Sequence, residues 1–147
     1  MADLDTFREL LSHEHGLVVV TTLRRDLTMQ SSVVNAGVMA HPISGADTVA
    51  LVAVGRSAKL ANLRERPQVS ITARVGWQWA TVEGAAELIG PADPSEHFAA
   101  DGLRRLLRDV FTAAGGTHDD WDEYDRVMAA EGRTAVFVTP TRVYSNR

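Results

Sequence analysis

Short β-branched runs separated by turn signals are the feature that most limits what this chain can fold into. Leu17–Leu23 reads Leu-Val-Val-Val-Thr-Thr-Leu, which is typical of a buried strand. Similar runs predict strands at 29–40, 48–54, 69–75, 77–89 and 134–139, with a short edge strand at 142–144 beyond Pro140. Gly76 lies between two of these runs and suits a tight hairpin. Six or seven strands joined mainly by hairpins indicate a mainly β protein with an antiparallel sheet closed on itself.

Four helices are predicted around this sheet, at 4–14, 57–66, 93–114 and 119–131. Pro67 ends the second, because proline cannot continue a helix. Asp93-Pro94-Ser95-Glu96 predicts the start of the third, with an Asp cap, proline at the first position and glutamate at the third. A small barrel fills its interior with side chains, so a sizeable ligand is expected outside it, in a groove shared with a second subunit.

Length and composition exclude several classes of protein function. The 147 residues suit one domain, 1–147, and the chain has no cysteine, which excludes a disulfide framework, a thiolate nucleophile and an iron–sulfur cluster. The formal net charge of −4 argues against a nucleic-acid binder. The acidic start and the absence of an apolar run of about 20 residues favour a cytoplasmic protein without membrane contact.

The segment Gly55-Arg56-Ser57-Ala58-Lys59 is the strongest candidate for a binding site. Ser57 is a good N-cap, so Arg56 and Lys59 would lie at the positive end of a helix, where cations are disfavoured and anions are favoured. Lys59 is also the only lysine among fifteen basic residues. These features predict a phosphate seat, whereas the alternative is a pair of solvated charges on an ordinary connecting helix.

Two further segments carry weaker signals. Trp77 and Trp79 share one face of a strand and either flank a planar ligand, line a subunit contact or pack in the core. The polar residues of the run Gln30-Ser31-Ser32-Val33-Val34-Asn35 face outward in this interpretation and offer hydrogen bonds to a heteroaromatic ring. The same alternation is also typical of a strand that simply faces solvent.

No group of side chains predicts catalysis or metal binding. The histidines have no defensible metal-ligand spacing, the acidic residues after His118 fit a helix start, and no serine lies in a nucleophile-elbow context. We therefore expect no catalytic side chain and no metal. Hydride transfer fits this pattern, because it needs a positioned cofactor more than a reactive side chain.

Several of these segments, in this order, resemble a known family over nearly the whole chain. They are the opening strand Leu17–Leu23, Ser57-Ala58-Lys59-Leu60-Ala61-Asn62-Leu63-Arg64 with Pro67, Gly76-Trp77, Val82-Glu83-Gly84, His118-Asp119-Asp120-Trp121-Asp122-Glu123-Tyr124 and Thr139-Pro140-Thr141-Arg142-Val143-Tyr144. The sequence is similar to the pyridoxamine-phosphate-oxidase-like FMN-binding split-barrel superfamily. More narrowly, it resembles the deazaflavin (coenzyme F-420)-dependent oxidoreductases of actinobacteria.

The resemblance implies a six-stranded antiparallel split β-barrel that forms a homodimer with two cofactor grooves at the interface. It implies that coenzyme F-420, or alternatively FMN, is bound with its phosphate at Arg56, Ser57, Ala58 and Lys59 and with Asn62 steadying that loop. Ring contacts would come from Gln30, Ser31, Ser32, Val33, Val34, Val52 and Ala53, and from Trp77, Gln78 and Trp79 of the partner subunit. In many relatives Asp-Gly-x-Pro turns strand one into strand two, where this chain has Asp26-Leu27-Thr28-Met29, so contacts near Met29 and Gln30 transfer less directly.

The implied activity is hydride transfer from the reduced deazaflavin to an unsaturated small molecule. An FMN-dependent flavin reductase or a pyridoxamine-phosphate-oxidase-like enzyme is the alternative within the same fold. A cofactor carrier with little turnover is the alternative from another class, because fold alone does not decide function.

Overall fold

Six antiparallel strands close into a barrel in a computed structural model that describes residues 3–147. The barrel order is β1-β2-β3-β6-β5-β4, which returns to β1. The elements in chain order are α1 (Leu4–His13), β1 (Leu17–Leu23), β2 (Met29–Ala40), β3 (Asp47–Ala53), α2 (Ala58–Glu65), β4 (Gln68–Val75), β5 (Gln78–Ile89), α3 (Ala100–Ala113), α4 (Trp121–Ala130) and β6 (Thr134–Ser145). The predicted mainly β, closed antiparallel architecture is confirmed.

The barrel interior is filled by aliphatic side chains, as the alternation along the strands predicts. On β1, Val18 and Val20 are buried, whereas Leu17 and Val19 face outward. The helix α1 adds Phe7, Leu10 and Leu11 to the same core. No room for a large ligand remains inside, so binding surfaces lie on the outer face of the strands.

A second hydrophobic cluster joins α3 and α4 to the outside of the barrel. Leu106, Leu107 and Val110 of α3 pack with Tyr124 of α4 against Phe137 and other outward residues of β3 and β6. Two helices therefore cover one side of the barrel. None of the helices within residues 3–147 is long and apolar enough to cross a bilayer.

The β1–β2 turn forms without the Gly-Pro pair of many relatives. Leu27 adopts a φ of +67°, a conformation that costs energy for a side chain other than glycine. The Asp26 carboxylate accepts hydrogen bonds from the backbone N–H of Thr28 at 3.1 Å and from its hydroxyl. These bonds hold the turn, and β1 and β2 pair without interruption from Leu23↔Met29 to Leu17↔Asn35.

The predicted helix start at Asp93 is wrong. Gly90 and Asp93 form an isolated β-bridge, as do Ser95 and Phe98, and α3 begins only at Ala100. The side chain of Asp93 accepts three hydrogen bonds from Arg64 of α2 instead of capping a helix. A long-range ion pair has therefore replaced a local capping interaction.

The predicted break at Pro140 is also wrong, because β6 is one strand that lies between β3 and β5. The β5–β6 register shifts between Glu83 and Gly84, and Pro140 pairs with Gly84. A Cβ at Gly84 would lie 2.0 Å from the carbonyl oxygen of Thr139. The glycine and the register shift together accommodate the proline inside a continuous strand.

Candidate functional site

The loop between β3 and α2 packs directly on the turn between α4 and β6. The backbone N–H of Gly55 donates to the carbonyl of Glu131 at 3.0 Å. A Cβ at Gly55 would lie 2.5 Å from the carbonyl oxygen of Gly132, so only glycine fits there without a shift of the backbone. This close approach brings the predicted phosphate seat next to residues from the far end of the chain.

Ser57 occupies the N-cap position of α2, but its hydroxyl does not cap the helix. Its backbone is extended, with φ −67° and ψ 149°, and the side chain makes no capping hydrogen bond. The Ser57 hydroxyl is buried and has no hydrogen-bond partner within the described residues. Since buried hydroxyls are normally paired, this oxygen has hydrogen-bonding capacity to offer to a bound group.

Two cations lie close together at this helix start. Burial lowers the pKa of Lys59 below its ordinary value of 10.5, and the nearby charge of Arg133 lowers it further. Arg133 donates through Nε to Glu131 at 2.9 Å, whereas Lys59 has no carboxylate partner among residues 3–147. A like charge and partial burial both disfavour the ammonium group, whereas an anion bound between Lys59 and Arg133 would favour it.

A cavity of about 360 Å³ opens beside Arg133, between strands β2 and β3 and the two covering helices. Its walls include the predicted ring contacts Val33, Val34 and Val52. The remaining lining residues are Asn35, Val110, Phe111, Ala114, Tyr124, Met128 and Arg133. Arg133 thus joins the apolar cavity to the phosphate seat.

Asn62 links α2 to the barrel rather than to the loop before α2. Its side-chain amide donates to the Thr22 hydroxyl at 3.0 Å, and that hydroxyl donates to Gln30 Oε1 at 3.3 Å. The chain of bonds crosses α2, β1 and β2. Asn62 therefore fixes the orientation of α2, and with it the position of Lys59 one turn earlier.

The polar residues of β2 divide between two faces of the strand. Gln30, Ser32 and Val34 pair with the buried residues of β1 in register and so face inward, contrary to the predicted outward orientation. Ser31 faces outward and its hydroxyl lies 2.9 Å from that of Thr21. The Ser32 hydroxyl is buried and has no hydrogen-bond partner in the part of the chain that the structure describes.

Comparison with known families decides what kind of protein this is. The family profile described as pyridoxamine 5'-phosphate oxidase matches residues 4–147. The chain belongs to the pyridoxamine 5'-phosphate oxidase family.

Solved structures similar to this family member differ in what they bind. An F420 reductase is 15% identical with a TM-score of 0.57, covering 87% of this chain and 88% of that one. An FMN-binding protein from Nostoc punctiforme related to pyridoxamine 5'-phosphate oxidase is 11% identical with a TM-score of 0.63, covering 99% and 84%. A heme storage protein from Vibrio cholerae is 13% identical with a TM-score of 0.57, covering 97% and 94%. At these identities the likeness shows the shared fold.

Three predicted site residues lie far from the phosphate seat within one copy of this family member. Trp77 is in the β4–β5 turn, and Gln78 and Trp79 begin β5. The phosphate seat is near the opposite end of the barrel, where Ile89 pairs with Ala135 and Ala53 with Thr134. The intervening length of β5 spans on the order of 30 Å at about 3.3 Å per residue. Trp77, Gln78 and Trp79 therefore lie far from the phosphate seat of their own chain, and β5 is three strands away from β2 around the barrel.

Sequence reasoning missed the contribution of α3, α4 and the α4–β6 turn to the site. Phe111, Tyr124, Met128 and Arg133 line the cavity, although none of them was a predicted site residue. The only sequence signal for Arg133 is its position after Gly132, a helix-ending glycine, and that signal does not say which loop it meets. Within the described residues, no three His, Asp or Glu side chains cluster in a way that could hold a metal ion.

Proposed function

We propose that this chain is an oxidoreductase that binds reduced coenzyme F-420 and uses it to reduce an unsaturated small molecule. The observation that carries the proposal is the pair of cations, Lys59 and Arg133, beside the unpartnered Ser57 hydroxyl at one end of an apolar cavity. A planar ring with an anionic tail matches that arrangement.

The anionic tail would bind at the start of α2. Lys59 and Arg133 supply positive charge, the Ser57 hydroxyl supplies a donor, and the first N–H groups of α2 are free for a ligand because a helix leaves them without internal partners. Arg56 is exposed at the same loop and adds positive charge to it. The residues therefore fit a phosphate group.

The ring would lie in the cavity beside Arg133. Val33, Val34 and Val52 offer an apolar wall, and a volume of about 360 Å³ is at the lower end of the range of about 300–1,000 Å³ for small-molecule pockets. When bound, the reduced deazaflavin supplies the hydride. The protein's part is to orient the ring and to exclude water from it.

The cavity lining offers no side chain suited to acid–base chemistry at neutral pH. Tyr124 and Arg133 are the two of the ten lining residues whose side chains can carry a charge. Burial raises the pKa of Tyr124 to about 12, and its hydroxyl donates to the carbonyl of Leu107 at 3.1 Å. Tyr124 therefore stays neutral and holds α4 to α3, which leaves the chemistry to a bound cofactor.

A homodimer would complete the groove. Val33 at the mouth of the cavity is 64% exposed, and Val19 pairs with it across β1 and β2. An apolar strand face of this kind favours contact with a second copy, and such contacts are isologous in a two-fold dimer. Trp77, Gln78 and Trp79 of the partner would then supply the remaining ring contacts.

FMN is the second candidate cofactor, because the chain belongs to the pyridoxamine 5'-phosphate oxidase family and the similar Nostoc protein binds FMN. Both cofactors carry a phosphate and a tricyclic ring, so the same cavity suits either. A carrier with little turnover is a third outcome, for which the similar heme storage protein gives a precedent in the same fold.

Fluorescence titration of the purified protein with F-420 and with FMN separates these candidates. We expect saturable quenching of F-420 fluorescence and oxidation of reduced F-420 by at least one acceptor in a panel of enones, quinones and nitro compounds. A yellow preparation that contains FMN would favour the flavin enzyme, and binding without turnover would favour the carrier. A protein that binds neither cofactor would refute the proposal.

A further inference from the structure

A second cavity, of about 500 Å³, lies between α3, α4 and the connection from β5 to α3. Nine of its twelve lining residues have no charged or hydrogen-bonding side chain. The largest of these are Leu103 and Leu107 of α3, Phe98 of the connection and Met128 of α4. The volume falls within the range of about 300–1,000 Å³ for small-molecule pockets. This second cavity therefore has the size and the apolar lining to hold a small molecule.

The second cavity adjoins the cavity proposed to hold the cofactor ring (the ring cavity) but is distinct from it. Met128 and Arg133 line both cavities, and every other lining residue belongs to one of them alone. Leu103 lines the second cavity only, whereas Val33 lines the ring cavity only. A larger side chain at either position therefore obstructs one cavity and spares the other.

The connection from β5 to α3 forms a fixed wall of the second cavity. Gly90 and Asp93 exchange two backbone hydrogen bonds of 3.0 Å, and the backbone N–H of Phe98 donates to the carbonyl of Ser95 at 3.1 Å. Arg64 of α2 holds the carboxylate of Asp93. The chain's own contacts therefore order this wall, and a ligand does not have to supply that ordering on binding.

The one acidic residue of the lining, Asp125, is already neutralised. Its carboxylate accepts a hydrogen bond from Arg108 Nε at 3.0 Å and another from Arg108 Nη2. Arg108 lies outside the lining, and its guanidinium packs over the ring of Trp121 at 5.3 Å. Asp125 therefore does not offset the charge of the two arginines in the lining, Arg104 and Arg133.

Both lining arginines have capacity for a further anion. Arg104 pairs with Asp101 of its own helix, and Arg133 donates through Nε to Glu131 at 2.9 Å. Both of these carboxylates are exposed, and ion pairs between exposed groups contribute little. The two Nη groups of Arg133 donate no hydrogen bond within residues 3–147. A planar carboxylate is the group that a guanidinium binds best.

We propose that the second cavity is a further ligand site, which takes a small apolar molecule that carries one carboxylate. The carboxylate would bind Arg104 and Arg133, and the apolar part would lie against Leu103, Leu107 and Phe98. A cationic head group would be repelled by both arginines. A neutral head group would gain no charge-assisted hydrogen bond.

Isothermal titration calorimetry of the full chain without cofactor tests the proposal. The probe is octanoate, and octan-1-ol and octylammonium are its neutral and cationic counterparts. We expect saturable binding of octanoate, about tenfold tighter than that of either counterpart. Because no cofactor is present, this result is independent of the proposed function, which the titrations with F-420 and FMN decide separately.

Two tryptophan variants show which cavity octanoate enters. Leu103→Trp would fill the second cavity and should abolish octanoate binding. Val33→Trp would obstruct the ring cavity and should leave octanoate affinity unchanged. In the wild-type chain the methyl resonance of Met128 should shift when octanoate is added, whereas that of Met29, which lines neither cavity, should not.

A pair of arginine variants tests the role of charge without altering the buried part of the cavity. Arg104→Ala should weaken octanoate binding about tenfold, the scale of a hydrogen bond to a charged group, and leave octanol binding unchanged. Arg105→Ala is the matched control, since Arg105 is an exposed cation on the same helix outside the lining. It should bind octanoate as the wild type does.

Octanoate that does not bind, or that binds no more tightly than octanol, would overturn the proposal. A loss of binding in Val33→Trp that Leu103→Trp does not share would also overturn it, because octanoate would then occupy the ring cavity. Equal losses in Arg104→Ala and Arg105→Ala would do the same, since they would mean a general attraction of the anion to a basic surface.

Discussion

Lys59 is held in an environment that disfavours its charge. It is partly buried, its pKa is lowered by burial and by Arg133, and no described residue gives it a carboxylate. A surface lysine without a function would turn its ammonium group into water, because the side chain is long and flexible. The anionic ligand proposed above would stabilise the charge of Lys59 next to Arg133.

The variant Lys59→Ala should lose cofactor affinity while keeping its fold. We expect cofactor binding to weaken by about 1–3 kcal/mol, the scale of a hydrogen bond to a charged group. Fluorescence titration with F-420 and FMN measures this change. Arg25→Ala is the control, since Arg25 is an exposed cation in the β1–β2 turn, and an equal loss in both variants would contradict a specific role for Lys59.

Cofactor affinity should also fall at alkaline pH. A bound phosphate stabilises the ammonium form and raises the pKa of Lys59 again, so affinity is full below the pKa of the free protein and declines as the pH rises from there towards and beyond 10.5. Dissociation constants measured across this range test the expectation. In Lys59→Arg the decline should disappear, because the guanidinium stays charged to a pH of about 12; an unchanged decline would assign it to another group.

At the scale of elements, the position of α2 depends on contacts with distant segments more than on interactions within the helix. Its N-cap serine makes no capping bond, and only Leu60 and Leu63 are buried. Asn62 ties it to β1, and Arg64 binds Asp93 in the connection between β5 and α3 with bonds of 2.9 and 2.7 Å. Tertiary contacts therefore set the position of the helix that carries Lys59.

Arg64→Ala should lower the free energy of unfolding by about 1–2 kcal/mol, because the bidentate pair is two-thirds buried on the Arg64 side and Asp93 would be left unpaired. Arg25→Ala is the matched control, since Arg25 in the β1–β2 turn pairs with Glu65 of the same helix at 3.3 Å and both side chains are exposed. It should change the free energy by less than about 0.5 kcal/mol. Urea denaturation measures both, and equal effects would show that Arg64 does not anchor the connection.

At the scale of the whole molecule, the outer face of β1 and β2 is unusually apolar. Leu17, Val19 and Val33 are 41%, 42% and 64% exposed and lie next to one another on the outward side of the paired strands. Monomeric proteins rarely expose a contiguous apolar patch of large size without a function. This face is therefore the expected centre of a dimer interface.

Val19→Lys should convert the proposed dimer to monomer at micromolar protein concentration, because a charge would be placed within an apolar contact. Leu27→Lys is the control, since Leu27 is 69% exposed in the β1–β2 turn and outside this face. Sedimentation velocity distinguishes the two states. A dimer that persists in Val19→Lys would place the interface elsewhere.

The sequence by itself determined the strands and therefore the barrel. Alternation along β1 and the tight turn at Gly76 are local signals, set by which side chains pack and which backbone angles a residue tolerates. The same local reasoning located Ser57 and Lys59 at a helix start. It failed at Asp93, which binds the distant Arg64 instead of capping a helix. It also failed at Pro140, which Gly84 on the neighbouring strand accommodates within a continuous β6.

Only the tertiary structure decided what surrounds those residues. The meeting of Lys59 with Arg133, the cavity under α3 and α4, and the separation of Trp77 from the phosphate seat all depend on how elements distant in sequence pack. Local propensity contains no information about such contacts, because their energy comes from burial and charge between segments that meet only in the folded chain. The barrel could be predicted from the amino-acid sequence. The surroundings of the candidate site could be identified only from the tertiary packing.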